Sequence, residues 1–332
     1  MRICFLSRRY FPAISGMSVY ARNMTRFLSE RGHEIVMISQ YRQDQKGIGI
    51  YGGGPPPPEP WMQVHGLRSY GEEKATEEVP ADFEEDLRQM VDTAIAHHRE
   101  KPFDVVHAQY AYPNGLAALE ISRRLGIPNV VSIQGGDGHW VGKCCQTHQQ
   151  AMQAVLNNAM ALVIGCQSFS AEVQENHGTR PERFTIIPGA TNTDQFLPAK
   201  EPGSIEQPAR LLYHGRVDQR KGVFDFIKAG KILLDKGHNI RLLVSGIGPD
   251  LDASVILANK LQMSSHVEFM GVASYDDAPQ VYHQGDIFVS PTYAEGFSNT
   301  ILEAMACGLP IVSTNTVGVV DCLRDRENAS LV

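Results

Sequence analysis

Ile287-Phe288-Val289-Ser290-Pro291-Thr292-Tyr293-Ala294-Glu295-Gly296-Phe297-Ser298-Asn299-Thr300-Ile301-Leu302-Glu303-Ala304-Met305-Ala306-Cys307-Gly308-Leu309-Pro310-Ile311-Val312 holds one complete unit of the fold. The apolar run Ile287 to Val289 reads as a strand buried on both faces, because it is continuous rather than alternating. A loop carrying Glu295 follows. A helix is expected to begin near Asn299 and to run over Thr300 to Ala306, before Gly308-Leu309-Pro310 leads into the next apolar run, Ile311 to Val312. Strand, helix, strand at this spacing implies a right-handed crossover between parallel strands.

The same alternation recurs along the chain. Strands are expected at Ile3 to Ser7, Ile35 to Ser39, Val105 to Ala108, Val130 to Ile133, Leu162 to Ile164 and Thr185 to Ile187. A second series follows at Leu211 to Tyr213, Ile240 to Val244, Val267 to Met270 and the two runs already quoted. Helices are expected at Ser18 to Arg31, Asp82 to Arg99, Leu116 to Leu125 and Val223 to Lys236. This is the pattern of α/β proteins with doubly wound, Rossmann-like sheets. With 332 residues and roughly 150 per domain, two domains are expected. The strand series breaks between about Pro188 and Ala209, a segment with Pro198, Pro202, Gly203 and Pro208 that reads as a linker. The expected division is therefore 1–190 and 191–332. Gly52-Gly53-Gly54-Pro55-Pro56-Pro57-Pro58 is expected to be a surface loop, and the acidic stretch from Glu72 to Glu85 a solvated helix face.

The net charge of -7 disfavours a nucleic-acid partner, which calls for a basic footprint. Met1 to Ser7 is too short an apolar run for a signal peptide, and no stretch approaches the ~18 apolar residues of a membrane span. The six cysteines lack CxxC spacing, which points to reduced thiols and a cytoplasmic setting. Adjacent Cys144 and Cys145 could bind a metal or sense redox state; unpaired thiols are the plainer reading.

Free N–H groups at the helix start near Asn299 favour an anion such as a diphosphate, and Gly296 lets the backbone come close to it. Glu303, one turn further, can reach back toward the same ligand. The second charged stretch is Tyr213-His214-Gly215-Arg216-Val217-Asp218-Gln219-Arg220-Lys221-Gly222, after the first strand of the second series. It sets Arg216 and Lys221 at the carboxyl edge of that sheet, where such sheets bind ligands. Two cations there would neutralise charge developing on a diphosphate leaving group.

These two stretches resemble the family-4 retaining glycosyltransferases of the two-domain GT-B fold. In that family a Glu, seven residues and a second Glu mark the donor site, as Glu295 and Glu303 do here. The resemblance implies that Arg216 and Lys221 contact the donor diphosphate, Glu295 the transferred sugar and Glu303 the ribose. Amides around Phe297, Ser298, Asn299 and Thr300 would hold sugar and phosphate oxygens. The likeness extends to Ile187 to Pro198, similar to the family's crossing segment, and to Leu243 to Pro249, whose Gly246 would face the donor. It also covers the opening Arg2 to Ser39, where the family carries two glycines in the first loop so that the donor's diphosphate and sugar come close to backbone; here Gly16 matches and Ser15 takes the other place. Phe103 to Gln109 resembles another family strand, with Gln109 where a His often stands. On the acceptor side Gln134 occupies a position that is often histidine, leaving Gln134, Asp137 and His139 as candidates, His139 being expected on the surface.

The resemblance implies a donor cleft between the domains and a hexosyl group moved, with retention, from a nucleotide-diphosphate sugar to a carbohydrate, lipid-linked or small-molecule hydroxyl. No cofactor or metal is expected, since no DxD-type acid pair stands at a strand end; Asp276-Asp277 reads as a helix cap. Arg8-Arg9-Tyr10-Phe11 could meet an anionic acceptor or lipid headgroups, which admits peripheral contact with the inner membrane face. Family members continue beyond Val332, so helices completing the second domain are expected to be missing. Two other readings fit the architecture: a nucleotide-sugar epimerase, and a non-catalytic sugar-nucleotide-binding subunit. A NAD-dependent dehydrogenase does not, for want of G-x-G-x-x-G after the first strand.

Overall fold

The computed structural model describes residues 1–42, 53–75, 79–199, 205 and 207–332. The chain divides into two compact units, Met1–Pro188 and Gly189–Val332. Parts of the expected Gly52 loop, acidic stretch and linker (52, 76–78, 200–204 and 206) lie outside the described residues.

Unit 1 is built on a seven-stranded parallel sheet ordered β3-β2-β1-β4-β5-β6-β7. Its strands are β1 (Arg2–Ser7), β2 (Glu34–Tyr41), β3 (Gln63–Arg68), β4 (Val105–Gln109), β5 (Asn129–Ile133), β6 (Ala161–Ile164) and β7 (Phe184–Ile186). Every residue of β1 is buried, which is why its sequence is continuously apolar instead of alternating. Ile3, Phe5, Ile35 and Met37 pack in one core cluster with Tyr10, Ala21 and Met62. The first crossover helix, Gly16–Glu30, begins two residues before the expected start. Ser15 sets that start: its hydroxyl accepts from the Ser18 N–H at 3.2 Å, so the residue standing in for the family's glycine serves as the helix N-cap.

Unit 2 repeats the winding. Its six strands are β8 (Ala209–His214), β9 (Ile240–Ser245), β10 (Val267–Gly271), β11 (Ile287–Ser290), β12 (Ile311–Ser313) and β13 (Ser330–Leu331), parallel and ordered β10-β9-β8-β11-β12-β13. Helices Val223–Asp235 and Leu251–Lys260 cover one face, and Val223, Phe226, Ile227 and Ala258 join Leu211, Leu242 and Val244 in its core. Among the described residues, no helix is long and apolar enough to cross a membrane.

The acidic stretch is not one solvated face. Glu72 is half-buried, with Arg8 at 2.9 Å, Arg9 at 2.8 Å and Arg42 at 3.5 Å. Burial pushes its carboxyl pKa up, but the three guanidiniums outweigh that and hold it below the ordinary value. Neither spacing nor composition shows that three arginines from the ends of β1 and β2 converge there.

Candidate functional site

In each sheet the strand order reverses once, between β1 and β4 and between β8 and β11. Connections leaving strand ends on either side of a reversal diverge and open a crevice at the carboxyl edge. In unit 2 those connections are residues 215–222 and 291–298, the two charged stretches of the sequence.

The loop after β8 is zipped to the loop after β9. Gly215 N–H donates to Ser245 O at 2.9 Å, and Val217 N–H donates to Ile247 O at 3.0 Å. Gly246 has φ +134°, and a Cβ there would overlap the Gly215 carbonyl oxygen, so close approach and backbone conformation both require glycine. A Cβ at Gly215 would in turn lie 4.0 Å from the Thr300 methyl, which sets the first turn of helix Asn299–Ala306 beside this loop.

Lys221 Nζ lies 2.8 Å from Glu295 Oε1 and donates to the Ala294 carbonyl at 3.2 Å. The backbone joins the same loops, with Tyr293 N–H donating to Arg220 O at 3.0 Å. Glu295 is supported from behind: its N–H donates to Val317 O at 3.1 Å, and a side chain at Gly318 would overlap its carbonyl. Arg216 lies 3.2 Å from Asp218, which also holds Arg220 at 2.8 Å. Burial alone would raise the Asp218 pKa, yet the two guanidiniums and the Arg220 amide hold it below the usual carboxylate range. Asp218 thus keeps a fixed negative charge that orients Arg216.

Helix Asn299–Ala306 has no side-chain cap. Ser298 Oγ turns instead to Thr300 Oγ1 at 3.2 Å, and the uncapped first turn presents the positive end of the helix. Phe297 and Asn299 close against Gly189, where a Cβ would come within 2.7 Å of the ring and 3.0 Å of Asn299 Oδ1. Glu303 is 5% exposed and accepts from the Tyr282 hydroxyl at 2.7 Å. Burial raises its pKa to about 7 against the opposing Tyr282 hydrogen bond. The His214 ring meets Tyr282 edge-on at 5.0 Å, and burial lowers its pKa to about 4, so it is neutral near pH 7.

In unit 1, the exposed Gly16 opens the first helix. Its loop is tied to β4 by Gln109, which donates to the Met17 carbonyl at 2.8 Å and accepts from Ser7 Oγ at 3.0 Å. Gln134 hydrogen-bonds the Tyr20 hydroxyl. Asp137 is fully buried and accepts from the N–H groups of Ala111, Gln134 and Gly135 at 2.8, 2.9 and 2.9 Å. It pins the β4 and β5 loops together, beside Tyr110 at φ 85°. His139 is buried rather than on the surface: Nδ1 lies 2.8 Å from Glu172 and the ring packs tilted against Phe169, centroids 4.5 Å apart. An apolar partner distant in sequence, Phe169, outweighs the surface preference of a polar loop.

Residues 15–190 match the family described as glycosyl transferase 4-like domain, and residues 197–332 match glycosyl transferases group 1. The chain belongs to these glycosyltransferases. It is 31% identical over 267 residues to the capsular polysaccharide biosynthesis glycosyltransferase CapM of Staphylococcus aureus, covering 74% of this chain and 67% of that protein. It is 23% identical over 344 residues to the D-inositol 3-phosphate glycosyltransferase of Paenarthrobacter aurescens, covering 96% and 80%. Among solved structures, sucrose-phosphate synthase from Thermosynechococcus elongatus superposes with a TM-score of 0.80 at 20% identity, over 100% of this chain and 85% of that one. Anabaena HepE in complex with UDP and glucose gives 0.75 at 16% identity, over 100% and 85%. The fold is that of the GT-B glycosyltransferases.

Within this glycosyltransferase, the structure joins Lys221 to Glu295 directly and sets Thr300 beside the Arg216 loop. Asp218 and Tyr282 were not singled out by the sequence. Asp218 had a local signal, an acid between Arg216 and Arg220. Tyr282, on the short helix Ala278–Tyr282, had none.

Proposed function

We propose that this glycosyltransferase moves a hexosyl group, with retention of configuration, from a nucleotide-diphosphate sugar to an acceptor hydroxyl. The observation that carries the reading is the 2.8 Å Lys221–Glu295 pair at the strand-order reversal, beside an uncapped helix start. Arg216, Lys221 and the first-turn amides of Phe297 to Thr300 stabilise the departing diphosphate, and Gly246 admits it close to backbone. Glu295 holds Lys221 in place and contacts the sugar; Glu303 accepts from the ribose hydroxyls. The diphosphate leaves first, the acceptor enters on the same face, and a donor phosphate oxygen takes its proton. Orientation and electrostatics supply the rate without a metal ion.

One structural relative, Anabaena HepE, is seen in complex with UDP-glucose, which makes UDP-sugars the first to test. We assign Gly16 to the donor, whose diphosphate and sugar it admits close to backbone, and Gln134, Asp137 and His139 to the acceptor side, Asp137 and His139 through their buried contacts. We assign Arg8 and Arg9, beside Glu72, to an acceptor bearing an anionic group, carbohydrate or lipid-linked. Six cysteines outside any disulfide favour a cytoplasmic setting, with contact at the inner membrane face for a lipid-linked acceptor.

The test is thermal stabilisation by a panel of UDP-, GDP- and ADP-sugars, since a ligand that binds only the folded form raises its melting point. It is followed by product analysis with and without acceptor. Free nucleotide with an altered sugar and no acceptor requirement would replace transfer by epimerisation.

A further inference from the structure

Unit 1 brings three soft donors together. Cys144 Sγ lies 3.7 Å from Cys145 Sγ and 3.1 Å from His148 Nδ1. All three ligand atoms fall within 4.8 Å of one another. The opposite ring nitrogen, His148 Nε2, sits 2.9 Å from the Ala81 carbonyl. A carbonyl can only accept, so the proton is on Nε2 and the Nδ1 lone pair faces the thiols. This is the tautomer a metal ion needs, fixed by the kind of outer hydrogen bond that metal-binding histidines make. The ring is held by Tyr112 and Phe83, with centroids at 4.9 and 6.1 Å.

We propose that Cys144, Cys145 and His148 bind a zinc ion, with the fourth position open to water. Bonds of about 2.3 Å to sulfur and 2.0–2.1 Å to nitrogen place tetrahedral sulfur neighbours about 3.8 Å apart and sulfur–nitrogen neighbours about 3.6 Å apart. The observed 3.7 and 3.1 Å need only small side-chain rotations to meet them. Cys145 is the residue preceding helix Gln146–Asn158, and its thiol makes no cap hydrogen bond, so it is available as a ligand. Cys144 is exposed and Cys145 half-buried, which leaves an entry path. Binding releases one proton from each thiol, and the two thiolates neutralise the divalent charge. The ion would tie Cys144 and Cys145 to the first turn of this helix, whose His148 is already bonded to Ala81.

The experiment uses the full chain, reduced and freed of metal with a chelator, titrated with Co²⁺ and then Zn²⁺. One equivalent of Co²⁺ is expected to give thiolate-to-metal charge transfer and the visible bands of tetrahedral cobalt, both displaced by Zn²⁺. Cys144→Ser and Cys145→Ser are each expected to weaken binding by at least about tenfold, while Cys322→Ser leaves it unchanged. Cys144 is exposed, so its serine variant keeps the fold and decides the matter even if a His148 variant does not fold. Absence of the bands, or bands that persist in the Cys144→Ser/Cys145→Ser double variant, would overturn the proposal.

Discussion

Lys221 and Glu295 form an ion pair that fastens the loop after β8 to the loop after β11 at 2.8 Å. The ammonium is thereby placed before any ligand arrives. Preorganised charge of this kind acts on the transition state without reorganisation at the moment of reaction.

Arg216→Ala and Lys221→Ala should therefore each lower kcat by roughly 10²–10³. Their side chains are 37% and 34% exposed, so the melting temperature should move little. Initial rates of nucleotide release in the presence of acceptor measure this; kcat within twofold of wild type in both variants would remove the pair from the chemistry.

Glu303 predicts a pH dependence of stability. Its pKa is about 7 in the folded protein against an ordinary 4.5. Between those values the folded state keeps a proton that the unfolded chain has lost, so stability falls as pH rises through the window. Glu303→Gln should flatten that decline, read as melting temperature against pH from 4 to 8 for both proteins. Ribose hydroxyls donating to the carboxylate favour its charged form. The stabilisation by nucleotide sugar should accordingly grow from pH 6 to pH 8 in the wild type, and be lost in Glu303→Ala.

Two glycines with positive φ separate crowding from conformation. At Gly237, φ +83°, a side chain would meet open space, and Gly237→Ala should cost about 1 kcal/mol. At Gly246 the new methyl would overlap the Gly215 carbonyl, and Gly246→Ala should cost about 3 kcal/mol or more and abolish donor stabilisation. Denaturant midpoints and nucleotide-sugar melting shifts compare the two; equal effects would mean that the Gly215 loop yields freely.

Asp137→Ala strips the acceptor from three buried amides and should destabilise by about 3 kcal/mol or more. Asp137→Asn keeps one carbonyl oxygen and should recover part of the loss. Chemical denaturation of the two variants checks the order, and an Asp137→Ala protein as stable as wild type would give this carboxylate a role other than holding the loops.

The sheets were legible because buried parallel strands announce themselves as unbroken apolar runs, and runs such as Ile35 to Ser39 lie inside the observed strands. β3 was missed because its sequence, Gln63-Val64-His65-Gly66-Leu67-Arg68, is that of a half-exposed edge. The charged stretches at Arg216 and Glu295 were legible because each follows a strand directly. Contacts that depend on tertiary packing were not: Glu72 among its arginines, His139 against Phe169, and Tyr282 on Glu303 join residues whose local sequence is silent about the partner.

The repeated winding has a consequence for biogenesis. All seven strands of the first sheet precede residue 187, so nothing synthesised later is needed to finish its backbone pairing. The leading half can complete its sheet while the trailing half is still being made on the ribosome, which keeps its apolar strand edges out of reach of the second set.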